Sequence, residues 1–318
     1  MAAIPVLLIG CGPMAVEYAR VLKALGIDPI VVGRGAASAD KFTQATGLPV
    51  QVGGFERWLE REKPPAHAIV APGEKWLGAA ALALIERGAR HLLVEKPGGF
   101  DAPDIAAVAS KAAGAHVEVL VGYNRRFYAS VEAAKRAIAE DGGATSFSFE
   151  FTEWSHVIGP IEKEPGVKEQ WFLQNSSHVI DLAFHLGGAP EKLAAFTRGD
   201  LAWHPAGCVF AGAGVSQSGA LFSYQANWEA PGRWGVEVLT RKRRLILRPL
   251  ERLQVQKLGS VAIDFVEIDD ALDKAYKPGL HRQVQAFLAG DRGPLPTIGE
   301  QVAMLPWLLR IRDGKGLS

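Results

Sequence analysis

Four consecutive apolar residues, Val6-Leu7-Leu8-Ile9, run straight into Gly10-Cys11-Gly12-Pro13-Met14-Ala15, after which Val16, Ala19, Leu22 and Leu25 recur at helical spacing. Strand, glycine turn and helix in this order constrain the fold more than any other stretch. A run apolar on both faces belongs to a parallel strand inside a sheet, and a tight glycine turn into a helix opens a doubly wound α/β unit. The geometry also has a chemical use. Glycines let the backbone approach a pyrophosphate, and the first helical turn offers N–H groups without internal partners to an anion. Gly10, Cys11, Gly12, Pro13 and Met14 are therefore candidate dinucleotide contacts, an ordinary strand-to-helix turn being the plain alternative. Ala15 takes the third glycine position, where the helix only needs to sit close to the strand.

A second apolar strand, Ile30-Val31-Val32, follows at the separation such a unit requires and ends in Gly33-Arg34-Gly35. No carboxylate stands there to hold ribose hydroxyls, and a guanidinium is available to a 2'-phosphate. The residues thus favour NADP over NAD, with Arg34 as the charged partner and Ser38 as an added hydrogen-bond donor. A solvated Arg34 is the alternative. Ala68 to Gly73 repeats the strand-turn pattern and offers Ala71 and Pro72 to the same cofactor. A helix from Trp76 to Arg87 stopped by Gly88, a strand from His91 to Val94, a helix from about Pro103 to Ala113 and a strand from Val117 to Val121 continue the alternation. Ligands of open α/β sheets gather beyond the carboxyl ends of the strands. Glu95 and Lys96, which leave the His91–Val94 strand, are accordingly expected at the cofactor, with Lys96 also at the substrate as a candidate proton donor.

A chain of 318 residues is more than one hydrophobic core usually serves, and its 48% apolar content suffices for two. The expected division is a dinucleotide-binding domain over residues 1–122 and a substrate-binding and oligomerisation domain over 123–318. A net charge of +1 gives no electrostatic reason to expect nucleic acid or a membrane as partner, so a small-molecule substrate is expected. The two cysteines, Cys11 and Cys208, lie far apart and in no metal-ligand spacing, which fits a reducing, cytoplasmic setting without zinc or any other metal. The N-terminus lacks a basic leader region, and no apolar stretch is long enough to cross a bilayer.

Four motifs in order, the glycine loop, Glu95-Lys96-Pro97, Gly122-Tyr123-Asn124-Arg125-Arg126-Phe127 and Ser177-His178-Val179-Ile180-Asp181-Leu182, resemble those of the glucose-fructose oxidoreductase and inositol dehydrogenase family, known as Gfo/Idh/MocA. The resemblance covers residues 4 to about 190; the remainder agrees only in strand character. It implies a Rossmann domain followed by an α/β domain with a large, mostly antiparallel open sheet. It also implies hydride transfer between NAD(P) and a hydroxyl of a sugar, cyclitol or sugar nucleotide. At the domain junction it implies that Asn124 touches the cofactor and that Tyr123 and Arg125 touch the substrate. An NAD(P)-retaining glycosidase or lyase working by transient oxidation, and a non-catalytic nicotinamide sensor, are the competing classes.

In the second half, Val131 to Ile138 has helical spacing, and Ala144 to Trp154 alternates as a strand. Cys208–Val215, Ala220–Trp228, Gly235–Thr240, Leu245–Arg248, Leu253–Leu258 and Val261–Ile268 also suit strands. One face of such a sheet is left uncovered, which by the resemblance serves association into a homodimer or homotetramer. Asn175-Ser176-Ser177 suggests a capped helix start that places His178 in the first turn, with Asp181 on nearly the same face. His178 and Asp181 coincide with the family's His-x-x-Asp and are the candidate catalytic residues, a helix cap or salt bridge being the alternative for Asp181. Many members carry aspartate four residues before the histidine; here Gln174 stands there, beside Asn175, and an amide binds a hydroxyl without accepting its proton. Proton work is thus expected of Lys96 and His178, the two flanking the nicotinamide, with Gln174 and Asn175 binding substrate. Trp154, in the polar stretch from Thr152 to Gln170, is offered as a sugar-stacking surface or as a packing residue. Arg241-Lys242-Arg243-Arg244 is expected to be a solvated hairpin turn.

Overall fold

The computed structural model describes residues 4–314. By internal packing the chain forms two compact units: residues up to Asn124 together with Leu272–Ala303, and Arg125–Ala271 together with the residues from Met304 on. This differs from a boundary that leaves all of 123–318 in the second domain. The segment 272–303 returns to the first unit through contacts remote in sequence, which local periodicity does not register.

The first unit strings β1 (Val6–Ile9), α1 (Pro13–Ala24), β2 (Ile30–Gly33), α2 (Ala36–Thr46), β3 (Val50–Val52), α3 (Gly54–Arg61), β4 (His67–Val70), α4 (Leu77–Glu86), β5 (His91–Glu95), α5 (Ala102–Ala115) and β6 (Glu118–Gly122). All six strands are parallel, in the order β3-β2-β1-β4-β5-β6. Both flanks of the central strands are covered, so Val6 to Ile9 are buried throughout. At about 1.5–3 kcal/mol for each large aliphatic side chain removed from water, this strand anchors the unit.

The second unit holds α6 (Ala129–Glu140), β7 (Ser146–Glu150), α7 (Ser155–Ile158), α8 (Ser177–Gly187) and β8 (Pro190–Arg198). It continues with β9 (Val209–Ser216), β10 (Leu221–Asn227), β11 (Gly235–Leu239), β12 (Arg243–Leu247), β13 (Gln254–Lys257) and β14 (Ile263–Phe265). The strands form one sheet in the order β14-β13-β12-β11-β7-β10-β9-β8, antiparallel except where β7 runs parallel to β10. That register sets Phe147 beside Phe222 and Phe149 beside Tyr224, stacked at centroid distances of 5.3 Å in both pairs. α8 lies on these rings at Gly187, where any Cβ would strike Phe147. The opposite face alternates outward along β10, with Leu221 61% exposed and Phe196 of β8 58% exposed.

β8 escapes a period-two reading because a register shift between Pro190 and Lys192 breaks its alternation at a polar edge. The basic hairpin between β11 and β12 is less solvated than expected. Arg243 donates to Asp141 through Nε at 2.7 Å and Nη2 at 2.8 Å, and the Asp141 carboxyl is held far below the usual range, chiefly by this guanidinium. After β14 come α9 (Ala271–Ala275), α10 (Leu280–Ala289) and α11 (Ile298–Asp313). No helix of the described residues is long and apolar enough to cross a membrane.

Candidate active site

In the first unit the glycine loop is shaped by Gly10. Its φ of +118° is a conformation that side-chain-bearing residues avoid, and a Cβ would collide with the Ala71 carbonyl. The Gly10 N–H donates to Val32 O at 2.8 Å and the Ala71 N–H to Ile9 O at 2.8 Å, lacing β1 to both neighbours at their carboxyl ends. Gly12 is the N-cap of α1 and makes no side-chain cap bond; Pro13 opens the helix, and nothing lies within 4 Å of where a Gly12 Cβ would be. A side-chain-free cradle over uncapped first-turn N–H groups fits a pyrophosphate. The Cys11 thiol packs against Gly33, and burial pushes its pKa up, so it is a neutral liner of the loop.

Arg34 is 52% exposed, yet it is not merely solvated. Its guanidinium lies 3.8 Å from the centroid of the Trp76 ring, and Nη2 donates to Glu56 Oε1 at 2.9 Å. The carboxylate missing from the end of β2 is thus supplied by α3, a residue that sequence reasoning passed over because it lies 22 positions away. Ser38 is exposed in the first turn of α2.

Beyond β5, the Tyr18 hydroxyl donates to Glu95 Oε1 at 2.6 Å. Burial pushes the Glu95 carboxyl up, while Lys96, Tyr18 and Lys277 pull it back. Asn124, nearly buried, donates to Pro278 O at 2.9 Å, which ties the end of the unit to the returning segment. Tyr123, expected at the substrate, is fully buried.

In the second unit the expected helix start takes another form. Phe172–Ser176 is a π-helical turn that runs directly into α8, and Ser176, the N-cap, makes no side-chain cap bond. π-Turns put side chains where an α-helix would not, and they recur at functional sites. Here the turn sends Asn175 Nδ2 to Glu153, at 3.0 and 3.1 Å from its two oxygens, and Ser176 Oγ to Glu153 Oε1 at 2.7 Å. Glu153 is 2% exposed, and burial pushes its carboxyl pKa up. A buried carboxylate therefore stands beside Asn175 and Ser176, in a stretch whose local sequence holds no acid. Its only sequence signal was an acidic residue at the end of a strand pattern.

His178 is buried, with its ring 6.2 Å from the Trp234 ring. Arg125 lies over the same indole at 4.6 Å, so two expected substrate residues, Arg125 and His178, share Trp234 as a neighbour. Trp154 is partly exposed, donates through Nε1 to Gly232 O at 2.8 Å and is covered on one face by Arg233 at 4.6 Å. Asp181 accepts from Arg126 Nε at 2.8 Å and Nη2 at 2.6 Å. The salt bridge weighed as an alternative to a catalytic Asp181 is the geometry observed. Among the described residues no cluster of three or more His, Cys, Asp or Glu is placed to hold a metal ion.

No family model matches the chain. The chain is 23% identical over 284 residues to D-xylose 1-dehydrogenase (NADP(+)) 2 of Haloferax volcanii, covering 85% of this chain and 83% of that protein. Its fold matches UDP-N-acetylglucosamine 3-dehydrogenase GnnA from Acidithiobacillus ferrooxidans with a TM-score of 0.76 at 15% identity, over 99% of this chain and 98% of that one. It also matches levoglucosan dehydrogenase in complex with NADH and L-sorbose, with a TM-score of 0.78 at 18% identity and the same coverage. The six-stranded parallel sheet followed by a larger, mostly antiparallel one is the architecture these proteins share with this chain.

Proposed function

We propose that the chain belongs to the Gfo/Idh/MocA family and is an NAD(P)-dependent oxidoreductase. It moves a hydride between the nicotinamide and a secondary hydroxyl or ketone of a sugar, cyclitol or sugar nucleotide. The observation that carries this reading is the side-chain-free cradle at Gly10–Pro13, on a sheet whose fifth strand delivers Glu95 and Lys96. The similarity to a xylose dehydrogenase and to sugar and sugar-nucleotide dehydrogenases supports the substrate class.

When bound, the nicotinamide supplies the acceptor or donor of hydride. The residues of the chain supply the rest. Gly10, Cys11, Gly12, Pro13 and Met14 seat the pyrophosphate, Ala71 and Pro72 line its path, and Asn124 braces the cofactor side. Arg34, helped by Ser38, favours a 2'-phosphate and hence NADP. His178 takes the hydroxyl proton as general base, or returns it in the reverse direction, since imidazole titrates near neutrality. Lys96 donates a hydrogen bond to the reacting oxygen and lowers the energy of the developing alkoxide. Gln174, Asn175, Arg125 and Trp154 bind the substrate. Asp181 anchors Arg126 and so ties α8 to the segment that precedes α6. The exposed face of the second sheet mediates association into a homodimer or homotetramer, and the protein works in the cytoplasm, where free Cys11 and Cys208 stay reduced.

The test is a panel of aldoses, inositols and sugar nucleotides with NADP and NAD, followed by nicotinamide absorbance and by product analysis. Net absorbance change with a sugar supports the reading. Substrate cleavage without net change favours the cofactor-retaining glycosidase or lyase. Cofactor binding with neither outcome favours a sensor, and absence of dinucleotide binding rejects all three.

A further inference from the structure

A chain of three buried or partly buried polar side chains ends beside Lys96. Gln283 of α10 donates through Nε2 to the Tyr18 hydroxyl at 3.0 Å, and Tyr18 of α1 donates to Glu95 Oε1 at 2.6 Å. Gln283 and Tyr18 are both 0% exposed, so this network is bought at the cost of desolvating an amide and a phenol in the core. The backbone makes room for it: a Cβ on Gly122 would lie 3.1 Å from the Tyr18 hydroxyl and 3.4 Å from both Gln283 Nε2 and Glu95 Oε1. The partners come from positions 77 and 265 residues apart. Holding α1 against α10 would need only apolar contacts; the polar chain terminates on a carboxylate next to the residue assigned to the reacting oxygen.

We propose that Gln283 and Tyr18 are positioning residues that fix the Glu95 carboxyl and oppose its protonation, so that Glu95 holds Lys96 in place. Tyr18 approaches from α1, Lys96 lies next to it in the chain, Lys277 comes from the segment before α10, and Gln283 acts through Tyr18. Desolvation is the larger effect and works to protonate the carboxyl, while Lys96, Tyr18 and Lys277 oppose it. Burial and Glu95 push the Tyr18 phenol well above its ordinary pKa, so it keeps its proton to donate. The donor order runs from Gln283 to Tyr18 to Glu95. A Lys96 beside an ionised, fixed carboxylate is held more firmly than one beside a neutral, mobile acid. The consequence for turnover rests on the role proposed above for Lys96, whereas the charge-state claim does not.

The experiment compares the full-length protein with Tyr18→Phe and Gln283→Met, using carboxyl-13C glutamate to titrate Glu95 by NMR without substrate, and kcat/KM against pH with a turned-over sugar. Losing one hydrogen bond to a charged carboxylate is expected to raise the Glu95 midpoint by about one pH unit in Tyr18→Phe. Gln283→Met is expected to shift it less, in the same direction. The acid limb of kcat/KM is expected to move up with it, with KM and cofactor affinity unchanged, a signature that a packing defect would not produce. Glu95 titrations of both variants that superimpose on the parent overturn the proposal. A shifted Glu95 titration with an unmoved acid limb upholds the charge relay and instead rejects the role assigned to Lys96. If Tyr18→Phe does not fold, the Gln283→Met titration decides alone.

Discussion

Arg126 grips Asp181 with two near-parallel hydrogen bonds, Nε to Oδ2 at 2.8 Å and Nη2 to Oδ1 at 2.6 Å, and the side chains are only 16% and 9% exposed. Cutting one side of a largely buried pair removes a charge-assisted, two-point contact, a loss of about 3 kcal/mol. Asp181→Asn is therefore expected to lower stability by about that amount in urea titrations, with the melting point falling in parallel. A variant that melts with the parent yet loses turnover would return Asp181 to the catalytic group.

His185, one turn along the same helix, is held down to about 3 by burial and by the charges of Arg126 and Lys135. The unfolded chain takes up this proton near pH 6.5 and the folded chain does not, so stability falls as pH drops from about 6.5 toward about 3, by up to ~1.4 kcal/mol per pH unit. His185→Gln is expected to flatten that part of the profile of urea midpoint against pH. An unchanged slope would assign the acid sensitivity elsewhere.

Glu56 competes with any 2'-phosphate for Arg34. The pair is about half exposed, so its removal is a modest effect, ~0.4–1 kcal/mol. Glu56→Gln is expected to raise the NADP over NAD affinity ratio about two- to fivefold, and Arg34→Ala to lower it. Isothermal titration with both cofactors decides the matter; equal ratios in all three proteins would remove Arg34 from cofactor selection.

Gly10 tolerates no side chain, because the new Cβ meets the Ala71 carbonyl at a φ of +118°. Gly10→Ala is expected to abolish measurable dinucleotide binding, or to prevent folding of the unit, whereas Gly12→Ala, pointing into open space, leaves the fold intact and weakens binding. Cofactor fluorescence and far-UV circular dichroism separate the two outcomes.

Lys96→Met preserves much of the side-chain volume and removes the charge. Turnover is expected to fall ~10²–10⁴-fold, as for loss of a proton-handling group, with cofactor affinity retained. Parent-like kcat would refute the assignment.

The first unit was the more legible half because its signals are local. Apart from the exposed edge strand β3, which the local pattern did not mark, each parallel strand is a short apolar run closed by a turn, and the run from Val6 to Gly12 carries its periodicity and its glycines together. Strands of the second sheet were placed within a few residues by alternation, except β8, where a bulge and edge charges blur the period. The candidate site residues were legible only one element at a time. Lys96, His178 and the glycine loop stand in recognisable neighbourhoods, but Glu153, Glu56, Trp234 and Tyr18 carry no local mark of their partners.

The order of strands, the glycine turn, the residue types at Lys96 and His178 and the absence of a carboxylate after β2 were decided by the chain's local pattern, since backbone freedom and burial are set over a few neighbouring residues. Three other features needed tertiary structure. They are the return of residues 272–303 to the first unit, the carboxylates brought to Arg34 and Asn175, and the Gln283–Tyr18–Glu95 chain. These depend on groups distant in sequence becoming near neighbours in a desolvated interior, where a hydrogen bond or a charge acts with a strength that no local pattern encodes.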